Sequence, residues 1–528
     1  MIKKIFITVI ICLFYFLENS FCQTPIQWQK CYGGSSAESL NSIIITTDSG
    51  FIAAGFSYSN DGDVSGHHGG YDTMDAWVVK VDKLGAIQWQ KSYGGTNDDQ
   101  ANCIIQTNDG GYIFAGTTYS NDGDVLLNHG LADYWVVKID IVGTIQWEKS
   151  YGSTGSEIVT TIIQTNDGGY IVSGSSGGTN DGDVTGNHGD WDYWIIKIDS
   201  VGHLLWEKSY GSDSADNETS IIQTLDGGYI MSGMTMANNG DVSGFHGGFD
   251  YWVVKIDNTG SIQWQKCYGG IGVDQAYKII QTSDSGYAIA GVSNANSDDV
   301  TGNHGYYDYW IVKTDNSGTI QWEQSYGGFA REYASSIIQT SDHGYAIIGS
   351  SYANGGEVTG NHGGNDDIWF VKIDSFGGIQ WENCFGGSGS DIGVDLIQTI
   401  DNGYLIAGNT TSNDGDVTGW YGVYDFWVLK LSPDVGIENI NNPNSIINVY
   451  PNPSDNNITL SLELPLHEYN QQISIKVYDV FGRVIIDNSI KVIDKLQTDL
   501  YINNLANGAY TIQVITKEKT YNKIFIKN

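Results

Sequence analysis

Short apolar runs rich in Val, Ile, Tyr and Trp, each bounded by Asn, Asp, Gly or Ser, follow one another along most of this chain, and none sustains a helical period. One stretch shows the unit. Thr161 to Thr165 is followed by the turn Asn166-Asp167-Gly168-Gly169, then Tyr170 to Ser175, a polar segment, Asp192 to Ile198, a turn at Gly202, and Leu204 to Ser209. Branched and aromatic residues between tight-turn residues predict four strands.

The unit returns about every 60 residues. The Trp of IQWQK and its variants recurs at Trp28, Trp89, Trp147, Trp206, Trp264, Trp322 and Trp381, and a second Trp, two residues after an Asp, at Trp77, Trp135, Trp194, Trp252, Trp310, Trp369 and Trp427. Repetition at this period, all in strands, predicts radially stacked sheets, a β-propeller, with both Trp series packing between blades. The ends fix the count. The first copy starts with a lone fourth strand, Ile26 to Cys31; the last starts at Val394 to Thr399 and stops after its third strand, Asp425 to Leu431. Pairing the N-terminal strand into the last copy removes both open edges and predicts seven blades.

The pattern changes at both ends of residues 23–431. Residues 1–22 read as a signal peptide, with Lys3 and Lys4, the apolar run Ile5 to Leu17, and Ser20 and Cys22 before Gln23. Phe21 before Cys22 does not suit a lipobox, and no second apolar run suits a membrane anchor. A polar linker, 432–445, leads to alternating strands over 446–528 that predict a small antiparallel sandwich, so the expected fold class is all-β throughout. Cys31, Cys267 and Cys384 share one repeat position that is Ser in other copies, which with Cys103 argues for buried thiols without bridges.

The chain has 61 acidic and 25 basic residues, a formal charge of −36, almost all of it on the repeats. That charge excludes nucleic acid and anionic lipid surfaces, leaving cations, neutral glycans or basic proteins as partners. The long loops between second and third strands repeat Asp-Gly-Asp and a His, as in Asp61 and Asp63, Asp122 and Asp124, Asp181 and Asp183, and Asp414 and Asp416. Three readings stay open: Asx-type capping of turns, a calcium ion held in each blade by hard oxygen donors, or a transition metal on the His residues. No nucleophile elbow, zinc helix or phosphate loop is present, and every carboxylate pair is copied around the repeat.

Two departures from the repeat fall in neighbouring copies. Phe329 and Tyr333 flank Arg331, the one Arg of the repeats, and Trp420-Tyr421 replace the usual Asn-His. Aromatic rings beside a guanidinium suit stacking and directional hydrogen bonding, so these five are the candidate ligand-binding residues. The reading is a monomeric binding scaffold for an extracellular glycan or protein; a polysaccharide-active enzyme using the same face, or a purely structural surface protein, are the alternatives.

The C-terminal motifs are specific. Tyr450-Pro451-Asn452-Pro453, the Val477-Tyr478-Asp479 strand running into Gly482-Arg483, the Gly508 and Tyr510 strand and a basic last strand resemble the type A C-terminal sorting domain of the type IX secretion system of the Bacteroidetes. The resemblance implies export across the inner membrane, recognition of this domain by the secretion translocon, and delivery to the cell surface or medium. The repeats, with phrases such as DGGYIVSGS and DYWIIKID, look like the bacterial seven-bladed propeller repeat and more distantly like kelch repeats; that likeness transfers no catalytic residues.

Overall fold

The structure, a computed structural model, describes residues 25–433, 447–450, 457–462, 471–478, 483–492, 496–505, 508–515 and 520–527. The chain divides into two compact units, Met1–Asp434 and Val435–Asn528. The signal segment, linker residues 434–445, and Pro451, Asn452, Pro453, Asp479 and Gly482 lie outside the described residues.

Every regular element described is a strand. In the first unit, antiparallel four-stranded sheets follow in chain order over residues 38–93, 99–151, 156–210, 216–268, 272–326 and 332–385; strands Asp391–Gln398, Tyr404–Thr410 and Asp425–Leu431 form another with Ile26–Tyr32. In that sheet Tyr32 pairs with Phe426 and Ile26 with Leu431. A two-residue parallel bridge, Gly248 and Phe249 with Gly272 and Val273, links the fourth and fifth sheets.

Predicted and observed strands differ mainly at the first strand of each sheet. In the third sheet it runs Ser156–Gln164 rather than starting at Thr161, because a bulge between Val159 and Thr161 lets the polar residues ahead of the apolar run join the ladder. That bulge recurs at the same place in every sheet, for instance between Leu40 and Ser42 and between Gly393 and Asp395.

From their Asp onward the third strands are buried, so they read as near-continuous apolar runs. Each carries a fully buried Trp whose indole N–H donates to the fourth strand of its own sheet: Trp135 to Glu148 at 3.0 Å, Trp252 to Gln265 at 2.9 Å, and in the last sheet Trp427 to Gln29 at 2.8 Å. Apolar clusters join each sheet to its successor. Ile52 and Ala76 of the first sheet pack with Phe114 and Trp135 of the second. Leu405 and Phe426 of the last pack with Phe51 and Trp77 of the first, so the succession returns to its start. The four cysteines among the described residues are free, and burial pushes the Cys31 thiol up to about 12.

The second unit has a three-stranded antiparallel sheet, Ile447–Tyr450, Asn457–Leu462 and Leu496–Tyr501, and a four-stranded one, Val484–Val492, Gln471–Tyr478, Gly508–Ile515 and Thr520–Lys527. Both contribute to one core: Ile458, Leu460 and Leu500 meet Ile475, Val477, Tyr510 and Ile512.

Candidate functional site

The repeated Asp-Gly-Asp loops bind their own protein first. Asp61 accepts the Ser35 N–H at 2.7 Å, and Asp122, Asp181 and Asp414 accept both N–H and hydroxyl of Thr96, Thr154 and Ser388 at 2.7–2.9 Å. Each thereby caps the connection entering its own sheet. Hydrogen bonds to those backbone N–H groups hold the Asp61, Asp181 and Asp414 carboxyls below their usual range. The second Asp of each loop, Asp63, Asp124, Asp183 or Asp416, donates its N–H to Gly33, Gly94, Gly152 or Gly386. The intervening Gly takes a left-handed conformation, at Gly62 with φ of 64°, and a Cβ there would sit 2.5 Å from the Gly33 carbonyl. Among the described residues no three His, Cys, Asp or Glu side chains are arranged to hold a metal ion.

The loop His residues point inward. His68, His129, His188, His246, His304 and His362 place Nδ1 2.6–2.8 Å from Oδ2 of a fully buried Asp that heads the third strand: Asp75, Asp133, Asp192, Asp250, Asp308 or Asp367. At the last sheet Tyr421 stands in the His position, and its backbone N–H reaches Asp425 at 2.7 Å. A groove of about 540 Å³ between the first and second sheets is lined by His68, Gln90, Tyr93 and Asp124, among others.

Arg331 sits where the fifth sheet meets the sixth, bridged to Tyr307. Its guanidinium lies 4.7 Å from the centre of the Tyr352 ring and 3.4 Å from Asp366 Oδ2. Tyr333 stacks on Tyr307 at 5.4 Å and 29°, with Tyr306 against Tyr307 at 6.5 Å. Phe329 and Tyr306 are 80% and 75% exposed, which leaves an aromatic surface open to solvent. Burial and then the Tyr307 hydroxyl raise the Tyr333 phenol, so that ring keeps its hydrogen-bond donor at neutral pH.

Trp420 and Tyr421 belong to a different place, the meeting of the last and first sheets. No ring contact, hydrogen bond or ion pair joins them to Arg331 among the described residues. The Trp420 indole nitrogen is buried without a partner among the described residues, while the Tyr421 side chain is exposed. Tyr306, Tyr307, Tyr352 and Asp366 were not singled out from sequence. For Tyr307 and Asp366 the signal was the residue just ahead of the third-strand Asp, which varies freely between copies.

A second set of departures lies on the first strands. At the position just after the bulge, most copies carry Ser or Thr, but three carry Cys103, Lys278 and Asp395. Lys278 Nζ is 3.9 Å from Asp395 Oδ1, which also accepts the Ser336 hydroxyl at 2.8 Å. Two residues earlier, Glu218 replaces a small or apolar residue and accepts the Thr160 hydroxyl. Burial raises its carboxyl to about 8. Alignment of the seven first strands reveals all four.

Residues 448–528 match the family model described as a secretion system C-terminal sorting domain. The chain is thus exported by type IX secretion to the cell surface or extracellular space, with this domain engaging the secretion machinery. No helix among the described residues is long and apolar enough to cross a membrane. No curated protein matches the chain in sequence. Similar solved structures include a puromycin hydrolase (9% identity, TM-score 0.44, covering 71% of this chain and 51% of that one). A mutant Synechocystis apocarotenoid oxygenase (10%, 0.34, 79% and 95%) and a GH43_12 protein from a capybara gut metagenome (11%, 0.27, 97% and 80%) are others. The chain spans about half the length of the puromycin hydrolase. Likeness at this level says nothing about activity.

Proposed function

We propose that this chain is a seven-bladed β-propeller, closed by its N-terminal strand, that is carried out of a Bacteroidetes cell behind a signal peptide and binds an extracellular glycan through the tyrosine patch around Arg331. The ring reading is supported by the cyclic sequence of inter-sheet clusters and by the Trp427 to Gln29 bond, which repeats between the two ends of the unit a contact made within every other sheet. The glycan reading rests on one observation. Arg331, Tyr307, Tyr333 and Tyr352 meet on an exposed surface at a place where the repeat does not require them.

Tyrosine rings offer a flat apolar face for sugar C–H groups, and their hydroxyls with the guanidinium supply directional bonds. A neutral glycan also avoids the repulsion that this acidic body imposes on polyanions. Glycan-array binding by the secreted protein, repeated with Tyr333→Ala and Arg331→Ala, tests the assignment. Each variant should lose several-fold affinity, on the order of the 0.5–1.5 kcal/mol of one aromatic contact. Binding that survives both changes would move the site elsewhere, and cleavage of a bound glycan would replace the scaffold with a polysaccharide-active enzyme.

A further inference from the structure

At the junction of the fourth and fifth sheets, and again of the fifth and sixth, two buried carboxyl groups from different sheets converge. Asp250 heads a third strand and Asp274 a first strand; the corresponding pair is Asp308 and Glu332, and all four are fully buried. Asp250 Oδ2 takes the N–H and ring nitrogen of His246, and Asp308 Oδ2 those of His304. Their other oxygens, Oδ1 in both, are buried and have no donor among the described residues.

The partner acid is close to each orphan. A Cβ on Gly327 would fall 2.6 Å from Glu332 Oε2 and 2.8 Å from Asp308 Oδ1; on Gly269 it would fall 2.7 Å from Asp274 Oδ2 and 3.1 Å from Asp250 Oδ1. Glycine leaves room for both carboxyls on either side of that point, where Glu332 Oε2 and Asp274 Oδ2 also accept the Gly328 and Gly270 N–H at 2.8 and 2.9 Å. No Lys or Arg forms an ion pair with any of the four among the described residues. The facing titratable groups are His246, Asp299, Cys267 and Tyr251 at the first junction, and His304, Glu357, Cys384 and Tyr309 at the second.

We propose that each of these junctions holds a proton on its carboxyl pair, supplying the donor that the orphan oxygen lacks and making the contact between sheets tighten as the medium turns mildly acidic. Two ionised carboxylates in so dry a place repel, and neutralising one removes the repulsion and satisfies a buried acceptor. Burial, and next the hydrogen-bonded and charged neighbours, leave Asp274 and Glu332 at about 7. An unfolded carboxyl ionises near 4, so between about 4 and 7 the folded chain keeps protons that the unfolded chain releases. Stability from each pair is therefore complete below the unfolded value and lost as pH rises through 7.

The test is urea unfolding of the full secreted chain between pH 4.5 and 8.5, alongside Asp274→Asn and Glu332→Gln, which mimic the protonated acids. For each retained proton the folding constant of the native chain should fall about tenfold per pH unit of rise within the window. Each variant should lose its share of that slope and match or exceed the native chain at pH 8. Slopes unchanged in both variants would overturn the proposal, as would an equal loss of stability at every pH. Calcium-specific stabilisation at pH 8 without a pH slope would also overturn it, in favour of a cation between the carboxylates. Should either variant fail to fold, infrared spectra of the native chain decide: protonated carboxyl absorption at pH 6 that fades by pH 8 supports the pairs, and its absence refutes them.

Discussion

Six fourth-strand tyrosines reach into the following sheet, and the seventh copy carries a phenylalanine. Tyr32, Tyr93, Tyr151, Tyr210, Tyr268 and Tyr326 donate their hydroxyls at 2.5–2.8 Å to the carbonyls of Gly85, Gly143, Gly202, Gly260, Gly318 and Gly377, each in the turn between third and fourth strands of the next sheet. Phe385 faces the last sheet, whose third strand ends at Leu431 and whose fourth is Ile26–Tyr32, so no continuous turn joins the two and, among the described residues, no turn glycine offers a carbonyl there. Tyr151→Phe deletes a bond worth about 1 kcal/mol net and leaves the buried Gly202 carbonyl unpaired, a total near 1–3 kcal/mol. Phe385→Tyr buries a hydroxyl that no turn glycine among the described residues accepts, beside the apolar residues of the last sheet, and should destabilise by a similar ~1–3 kcal/mol. Urea midpoints at unchanged m-value measure both. A neutral Tyr151→Phe together with a stabilising Phe385→Tyr would refute the argument that the missing turn explains the missing hydroxyl.

Deleting residues 25–32 should leave the strand Asp425–Leu431 as an open edge and Trp427 without its Gln29 acceptor, seen as a lower melting midpoint and aggregation. Removing residues 446–528 should leave the protein in the periplasm of its host, and fractionation showing normal export would contradict the sorting role. Asp109, Asp167, Asp226 and Asp284 are held at about 2: burial alone would raise them, but the neighbouring Thr hydroxyl and a buried Lys outweigh it. Their stabilisation is present above pH 4 and lost as pH falls toward 2, so Asp284→Asn should flatten the acid limb of the stability curve. Calcium should move the melting midpoint no more than magnesium or sodium at matched ionic strength, because the loop carboxylates already accept backbone N–H groups; a calcium-specific rise that Asp183→Asn weakens would assign the ion to these loops.

Much of the fold was legible because each third strand opens on Asp-x-Trp and continues as an apolar run broken by a single Lys, a pattern that burial on both faces produces. The first strands were harder. Their opening residues, such as Glu157 and Asp274, look like loop polar groups, and only the bulge and the neighbouring sheet show that they are buried. The loop aspartates were legible as a motif but not as a chemistry, since Asp-Gly-Asp reads the same whether it faces an ion or the Ser35 N–H. Tyr307 and Tyr352 escaped notice because they join Arg331 from other strands, a proximity that spacing along one repeat cannot express.

A repeat turns departures into evidence, provided each is set against what the fold requires at that point. Phe385 departs where the turn that carries the tyrosine's acceptor in the other sheets is broken, so the change needs no ligand. Gln29 serves Trp427 from the other end of the unit as Gln90 serves Trp77, so a large separation in sequence conceals an unchanged contact. Arg331 is different. The turn, the bulge and the buried acid at Glu332 are all intact there, and the guanidinium contributes to none of them while lying over an exposed tyrosine. A residue that the repeat neither supplies nor needs, placed among rings open to solvent, is where selection for binding rather than for folding is expected to act.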